Sequence, residues 1–169
     1  EWTGDDVVGG GSPVRTNGWP PNGLWYGNRP VALADISGPD AEKLIPRIEA
    51  TVEAYRFSRA GDYRIWPGPN SNSFTAAILR AVPELGVALP PNAVGRDFRD
   101  RLYAGRTDSR TGVELNLYGI AAVKLGWVEG VELDLLGLVA GLDLRHPGVK
   151  LPGFGRIGVE SPVATALAR

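Results

Sequence analysis

The pattern GVELNLYG at residues 112–119 recurs as GVELDLLG at residues 130–137, and this repeat decides the fold. Apolar and polar residues alternate in both copies, which is typical of strands with one buried face. Another apolar run follows each copy, at residues 120–125 and 138–144. Four short strands at this spacing predict an antiparallel meander.

The alternation also predicts which side chains share a face of the sheet. Successive side chains point to opposite sides of a strand, so alternate residues lie together. The apolar members of the two copies are Val113, Leu115, Leu117, Val131, Leu133 and Leu135. We expect these six side chains to face one core.

Two helices are predicted upstream of the meander. The first opens near Pro39, and the second begins at Asn70–Ser71 and extends to about Val82, where Pro83 stops it. Residues 63–66 are predicted as an extended strand, residues 84–111 as loop-rich, and the charged stretch from Arg96 to Arg110 within them as a solvated loop. The fold class is therefore α+β, two helices with an antiparallel β-meander. We expect residues 1–158 to form one domain and residues 159–169 a mobile tail.

The composition of the chain excludes several classes of function. The chain has 169 residues, a formal net charge of −1 and no cysteine. The absence of cysteine excludes disulfides, thiolate metal sites and cysteine nucleophiles. No basic stripe is present, so a nucleic-acid partner is not expected. No apolar run reaches the length that spans a membrane.

The junction WPGPNSNSF at residues 66–74 is the one place where chemistry is predicted. It sets the Ser71 hydroxyl at a helix start, where the local positive potential favours a developing negative charge. Ser71 is the candidate catalytic residue, with Trp66, Asn70 and Asn72 as candidate substrate-binding residues. The alternative is that Asn70 or Ser71 only caps the helix.

The remaining candidates are weaker. His146 is the single histidine, and a lone histidine is more often a surface or capping residue than a base. Asp97 and Asp100 lack the spacing of metal ligands, and no cofactor or metal is expected. Residues 9–11 lack the lysine of a phosphate loop. Three tryptophans are predicted as core anchors, with a sugar-binding platform as the alternative, namely Trp25, Trp66 and Trp127.

Several stretches resemble a bacterial family known only as domain of unknown function 3750. They are residues 24–28, 35–42, 66–75, 81–85 and 151–156, and the PGPNSN block at residues 67–72 is the most specific of them. The resemblance implies an envelope protein on the periplasmic side of the inner membrane. It also implies that a membrane anchor and a His-Thr-Trp strand normally precede the segment that starts at Glu1, and that this part is missing here.

A second resemblance concerns mechanism. Residues 70–74 are similar to the Asn-Cys-Asn-His-Phe block of circularly permuted papain-like enzymes, which include NlpC-like hydrolases. In that class an earlier histidine activates a cysteine at a helix start. Ser71 stands at the cysteine position, and the base would come from the missing strand.

Two functional hypotheses follow from these observations. One is a non-catalytic or degenerate papain-like module that binds an envelope small molecule, lipid or peptide. The other is a Ser71-dependent amide or ester hydrolase or acyltransferase. Membrane attachment is expected only through the missing anchor.

Overall fold

The computed structural model describes residues 12–15, 20, 23–24 and 27–159. Trp25 and the predicted tail beyond residue 159 lie outside this part of the chain. Helix α1 spans Pro39–Glu53 and helix α2 spans Ser71–Ala81, followed by a short 3₁₀ helix at Pro83–Leu85. No helix in these ranges is both long and apolar enough to cross a membrane.

One seven-stranded antiparallel sheet follows the helices. Its strands are β1 Leu102–Arg106, β2 Gly112–Leu117, β3 Ala121–Gly126, β4 Gly130–Leu135, β5 Leu138–Asp143, β6 Gly148–Leu151 and β7 Gly155–Gly158. They pair in chain order, each with the next. The predicted meander and α+β class are therefore confirmed. Strand β1 corrects the predicted loop at residues 84–111, and β6 and β7 extend the sheet beyond the four predicted strands.

The predicted strand at residues 63–66 is wrong. This segment is irregular, because Pro67 and Pro69 interrupt pairing and the Arg64 N–H donates to the Pro69 carbonyl at 2.8 Å instead. The start of α2 is confirmed. Asn70 caps the helix by accepting from the Ser73 N–H, while the Ser73 hydroxyl accepts from the Asn70 N–H at 2.7 Å.

A small apolar core lies between the helices. Tyr55 and Phe74 are buried there with ring centroids 4.9 Å apart in an edge-to-face arrangement. Val52, Phe57 and other half-buried side chains pack around them. Neither Trp66 nor Trp127 belongs to a core, since their exposed fractions are 43% and 59%. The core-anchor prediction is therefore wrong for both.

The buried side of the sheet is the opposite of the predicted one. Leu115 and Leu133 are 53% and 58% exposed, whereas Glu114 and Glu132 are buried. The grouping of the six apolar side chains is right, but they point to solvent rather than to a core. Alternation determines which residues share a face and not which face is covered. Here helix α2 and residues 87–99 lie against the charged side.

Candidate functional site

The junction at residues 66–74 holds two neighbouring loops together through side-chain hydrogen bonds. The Asn70 amide nitrogen donates to the Ile65 carbonyl at 2.8 Å and to the Val94 carbonyl at 3.0 Å. Asn72 donates to the same Val94 carbonyl at 2.9 Å. Because the Asn70 oxygen is also used in the cap, the amides of this motif hold the surrounding loops in place.

Glycine is required where these loops meet. A Cβ on Gly95 would lie 2.2 Å from the Asn70 amide nitrogen, and the φ of this glycine is +87°. Trp66 is fixed from the other side, because its indole N–H donates to the Leu136 carbonyl at 3.1 Å. The bonds Trp66–Pro67 and Gly68–Pro69 are both cis. The WPGPNSNSF block therefore has a structural role, because its side chains hold the neighbouring loops in place.

Ser71 occupies the first position of α2 and its side chain is exposed. Its carbonyl accepts from the Thr75 hydroxyl at 3.1 Å. His146 lies elsewhere, in the loop between β5 and β6, where its N–H donates to Asp143 at 2.9 Å. It lines a cavity of about 570 Å³ to which Ser71 does not contribute. The roles of Ser71, Trp66, Asn70 and Asn72 in catalysis or substrate binding remain predictions.

The inner side of the sheet carries ionised side chains in register. Glu114, Lys124 and Glu132 stand opposite one another on β2, β3 and β4. Lys150 on β6 also reaches Glu132. Neighbouring strands therefore alternate in charge, which stabilises the pairs across the sheet.

The loop after α2 supplies the counter-ions. Arg96 pairs with Glu132, Asp97 pairs with Lys124, and Arg99 pairs with Glu114. The charged network, as we define it, comprises Arg96, Asp97, Arg99, Glu114, Lys124, Glu132, Asp134 and Lys150, each at most 8% exposed. The prediction that residues 96–99 are solvated is therefore wrong. Buried charges persist only when they are paired in this way.

The buried acids Asp97 and Asp134 titrate in opposite directions. Burial opposes ionisation of Asp97, but the charges of Lys124 and Arg96 outweigh burial and hold its pKa well below the usual range. Burial, with a hydrogen bond to Asp97 and the charge of Asp97, raises the pKa of Asp134 to about 8. Asp97 is thus held ionised, and Asp134 keeps a proton to higher pH than an ordinary carboxyl does.

Asp134 is expected to weaken the fold as the pH rises. Its folded-state pKa lies above the ordinary 3.8, so the unfolded chain releases this proton first and stability falls between about pH 4 and pH 8. Asp134→Asn removes the titration and keeps an acceptor for the Gly137 N–H. When the pH is raised from 5 to 8, the free energy of unfolding of this variant should increase by at least ~1 kcal/mol relative to that of the wild type. Chemical denaturation measures this change.

Asp143→Asn is the matched control for this experiment. Burial opposes the ionisation of Asp143, but hydrogen bonds from the His146 N–H and from Arg156 lower its pKa. The stability from Asp143 is present above its unfolded pKa and is lost as the pH falls. Asp143→Asn should therefore lower the free energy of unfolding more at pH 8 than at pH 3. A common trend in both variants would contradict the assignment of opposite shifts.

The outer side of the sheet is apolar, and within the described residues no helix or loop covers it. The outward face, as we define it, comprises Leu102, Ala104, Arg106, Val113, Leu115, Leu117, Val123, Leu125, Val131, Leu133, Leu135, Leu138, Ala140, Leu142, Val149 and Ile157. Arg106, on the edge strand, is the single charged residue among them. Leu115, Val123, Leu133 and Ala140 form one continuous row across four strands. Sequence reasoning identified the rows and missed that they form a surface.

A signal for this surface was present in the sequence. On β2, β3 and β4, the positions between the apolar residues carry Glu114, Lys124, Glu132 and Asp134. The sign of the charge alternates from each of these strands to the next. Charges in register on one side of a sheet can pair with each other and with a loop, so either side could have been the covered one. In the described part of the chain, no group of three or more acids or histidines is arranged to hold a metal ion.

Fold and site together define an α+β protein with two helices and a seven-stranded meander, in which α2 and an arginine-rich loop lie against the charged side of the sheet. The chain belongs to the family described as Protein of unknown function (DUF3750), whose sequence model matches residues 1–98. This match includes both helices and the junction at residues 66–74. No curated protein and no solved structure matches the chain.

Proposed function

We propose that this chain is a non-catalytic module of the bacterial envelope that binds lipid hydrocarbon through its outward face. The carrying observation is the inverted sheet, in which Leu133 is 58% exposed beside a fully covered Glu132. Soluble proteins rarely expose large contiguous apolar patches, and those that do use them for binding.

The size of the face supports this proposal. Seven strands spaced by roughly 4.8 Å, each about 5 residues long, project about 500 Å² of flat apolar surface. Typical largest patches on monomeric proteins measure about 300–600 Å² of accessible area, and a corrugated surface exposes more area than its projection. The outward face is therefore at or above the upper end of that range.

The chemistry of the face favours hydrocarbon over a protein partner. Specific protein interfaces carry about one hydrogen bond per 100–200 Å², whereas the outward face offers one polar side chain, Arg106, at its edge. The inner strands pair on both sides, so their backbone groups need no water. Acyl chains cover the inner strands without leaving a backbone group unsatisfied, while Arg106 and the free edges of β1 and β7 lie at the margin of the face.

Aromatic side chains mark both ends of the face. Tyr118 and Phe154 lie in the β2–β3 and β6–β7 turns and are 54% and 86% exposed. Trp127, in the β3–β4 turn, lies at the other end. Exposed aromatics of this kind favour the boundary between hydrocarbon and water. Their positions support a lipid ligand that covers the strands and leaves the turns at its margin.

The envelope location is part of the same proposal. It is supported by the resemblance of residues 66–75 to a periplasm-facing bacterial family, and the degenerate papain-like origin is supported by residues 70–74, where Ser71 stands in place of a cysteine.

Flotation with vesicles of zwitterionic phosphatidylcholine tests the proposal. These vesicles carry no net charge, so attraction through arginine is excluded as the cause of binding. The chain should float with the vesicles and should remain bound when the salt concentration is raised, because apolar contacts are not screened. A folded chain that stays at the bottom of the gradient, or a stable dimer that hides the face, contradicts the proposal.

A serine hydrolase is the second candidate, and the exposed Ser71 hydroxyl at the start of a capped helix favours it. We expect this 169-residue chain to be inert toward a serine-reactive fluorophosphonate probe. Ser71 needs a base within hydrogen-bond reach, and the helix terminus alone supplies only about 0.3–1 kcal/mol. Mass spectrometry of the probe-treated chain measures the result. Labelling that disappears in Ser71→Ala would support the enzyme instead.

A further inference from the structure

A cavity of about 560 Å³ lies between α1, α2 and the segment that leads into β1. Aromatic rings form much of its wall, contributed by Tyr55, Phe57, Phe98 and Tyr103. The Phe57 ring lies 5.7 Å from both the Tyr55 and the Phe98 rings, edge to face in each case. Cavities of this volume with apolar walls and a few polar groups are typical small-molecule sites.

Arginines contribute the polar part of the cavity. Arg56 lies over the Phe57 ring at 4.4 Å and pairs with Asp100. Arg99 lies over the Tyr103 ring at 4.6 Å and pairs with Asp108 at 2.7 Å and with Glu114. These contacts hold both guanidinium groups in fixed positions, so the charge at the cavity wall is preorganised.

Arg80, on α2, lines the same cavity, and its side chain is 31% exposed. Its Nη1 is sealed from solvent and makes no hydrogen bond, but it lies 3.5 Å from Asp108 Oδ2 in an ion pair. The other oxygen of Asp108 accepts from Arg99, so the two arginines share one carboxylate. Burial lowers the pKa of Arg80, and the charge of Asp108 opposes this shift. Arg80 is therefore less fully paired than Arg99, which also has Glu114.

We propose that the cavity binds a small organic monoanion, with its carboxylate or phosphate on Arg80 and its apolar body against Phe57 and Phe98. Arginines line this cavity at four positions, Arg56, Arg80, Arg99 and Arg101, whereas Asp100 is the one acid among its lining residues. Positive charge therefore exceeds negative charge along the wall, and an anionic oxygen beside the exposed part of Arg80 makes charge-assisted hydrogen bonds there.

This site goes beyond the proposed lipid binding and is separate from it. Tyr103 reaches the cavity from the inner side of β1, whereas Leu102 and Ala104 belong to the outward face. Variants of the cavity should therefore leave vesicle binding unchanged. The two proposals can fail independently.

Calorimetric titration of the 169-residue chain with 2-naphthoate tests the site. The acid should bind one to one, and the neutral 2-naphthamide and inorganic phosphate should each bind at least ~10-fold more weakly, because each lacks one of the two recognised features. Arg80→Gln should weaken naphthoate binding at least ~10-fold. Arg110→Gln, which alters an exposed arginine that does not line the cavity, should not change it.

Each other outcome overturns the proposal. Equal binding of naphthamide would show that the charge is not recognised, and equal binding of phosphate would show that the apolar wall is not used. If Arg80→Gln does not fold by circular dichroism, Arg101→Gln replaces it and should weaken naphthoate binding by several fold, because Arg101 lines the same cavity. A folded wild-type chain that does not bind naphthoate, or wild-type affinity in a folded variant, refutes the site.

Discussion

Glu132→Ala is expected to lower the free energy of unfolding by about 3–5 kcal/mol, the cost of breaking a buried ion pair from one side. Glu132 is 2% exposed and accepts from both Arg96 and Lys150. Its removal leaves two buried cations short of a partner. Arg96 retains Asp97 at 3.2 Å and Lys150 retains the Glu129 carbonyl, so the loss is large but not total. Denaturant titration measures it.

Leu133→Ala, one residue further along the same strand, is the matched control. Its side chain is 58% exposed, so the substitution should cost about 1 kcal/mol or less. In most sheets the order is the reverse, because the leucine is buried and the glutamate is solvated. A larger loss for Leu133→Ala than for Glu132→Ala would show that the sheet is covered on its apolar side.

The double variant Val123→Glu with Leu133→Glu is expected to abolish flotation with phosphatidylcholine vesicles. These residues are register partners in the middle of the outward face, and both are more than half exposed. Two carboxylates there would have to enter hydrocarbon, at a cost of several kcal/mol each. Fold stability should fall by about 1 kcal/mol or less, because the two new carboxylates repel each other across the strands but both positions are more than half exposed. Flotation and circular dichroism report the two quantities separately.

Ile65→Glu controls for the added charge. Ile65 is 77% exposed and lies outside the sheet, in the loop before the junction. This variant should float as the wild type does. Equal loss of binding in Ile65→Glu and in the double variant would mean that net charge, and not the outward face, governs vesicle binding.

Local chemistry made the second helix predictable. Asn70 and Ser73 form a capping box within four residues, and Pro83 stops the helix after Ala81, so no distant contact is needed to place its ends. The four central strands were predictable for a similar reason. Alternation at residues 112–117 and 130–135 is a property of each strand by itself.

The covered side of the sheet depends on distant residues. Arg96, Asp97 and Arg99 come from a loop that looks solvated in the sequence, and they pair with Glu132, Lys124 and Glu114 only after folding. A loop rich in paired charges and a solvated loop have the same composition. The orientation of the meander therefore could not be derived from its own alternation.

The outer strands were missed because of their short or interrupted patterns. Strand β1 contains Gly105 and ends at Arg106, while β6 and β7 have four residues each and are flanked by prolines and glycines. Such strands form because a neighbouring strand already offers unpaired backbone groups. The cavity at Arg80 is equally non-local, since α1, α2 and the start of β1 build it together.

An environment-sensitive fluorophore on the outward face tests the lipid-binding account most directly. The chain has no cysteine, so Leu133→Cys gives a single attachment point, and Ile65→Cys gives the control. On addition of phosphatidylcholine vesicles, the label at position 133 should shift its emission to shorter wavelength and become inaccessible to an aqueous quencher, while the label at position 65 changes in neither respect. Unchanged emission at position 133, or the same change at both positions, would contradict the account.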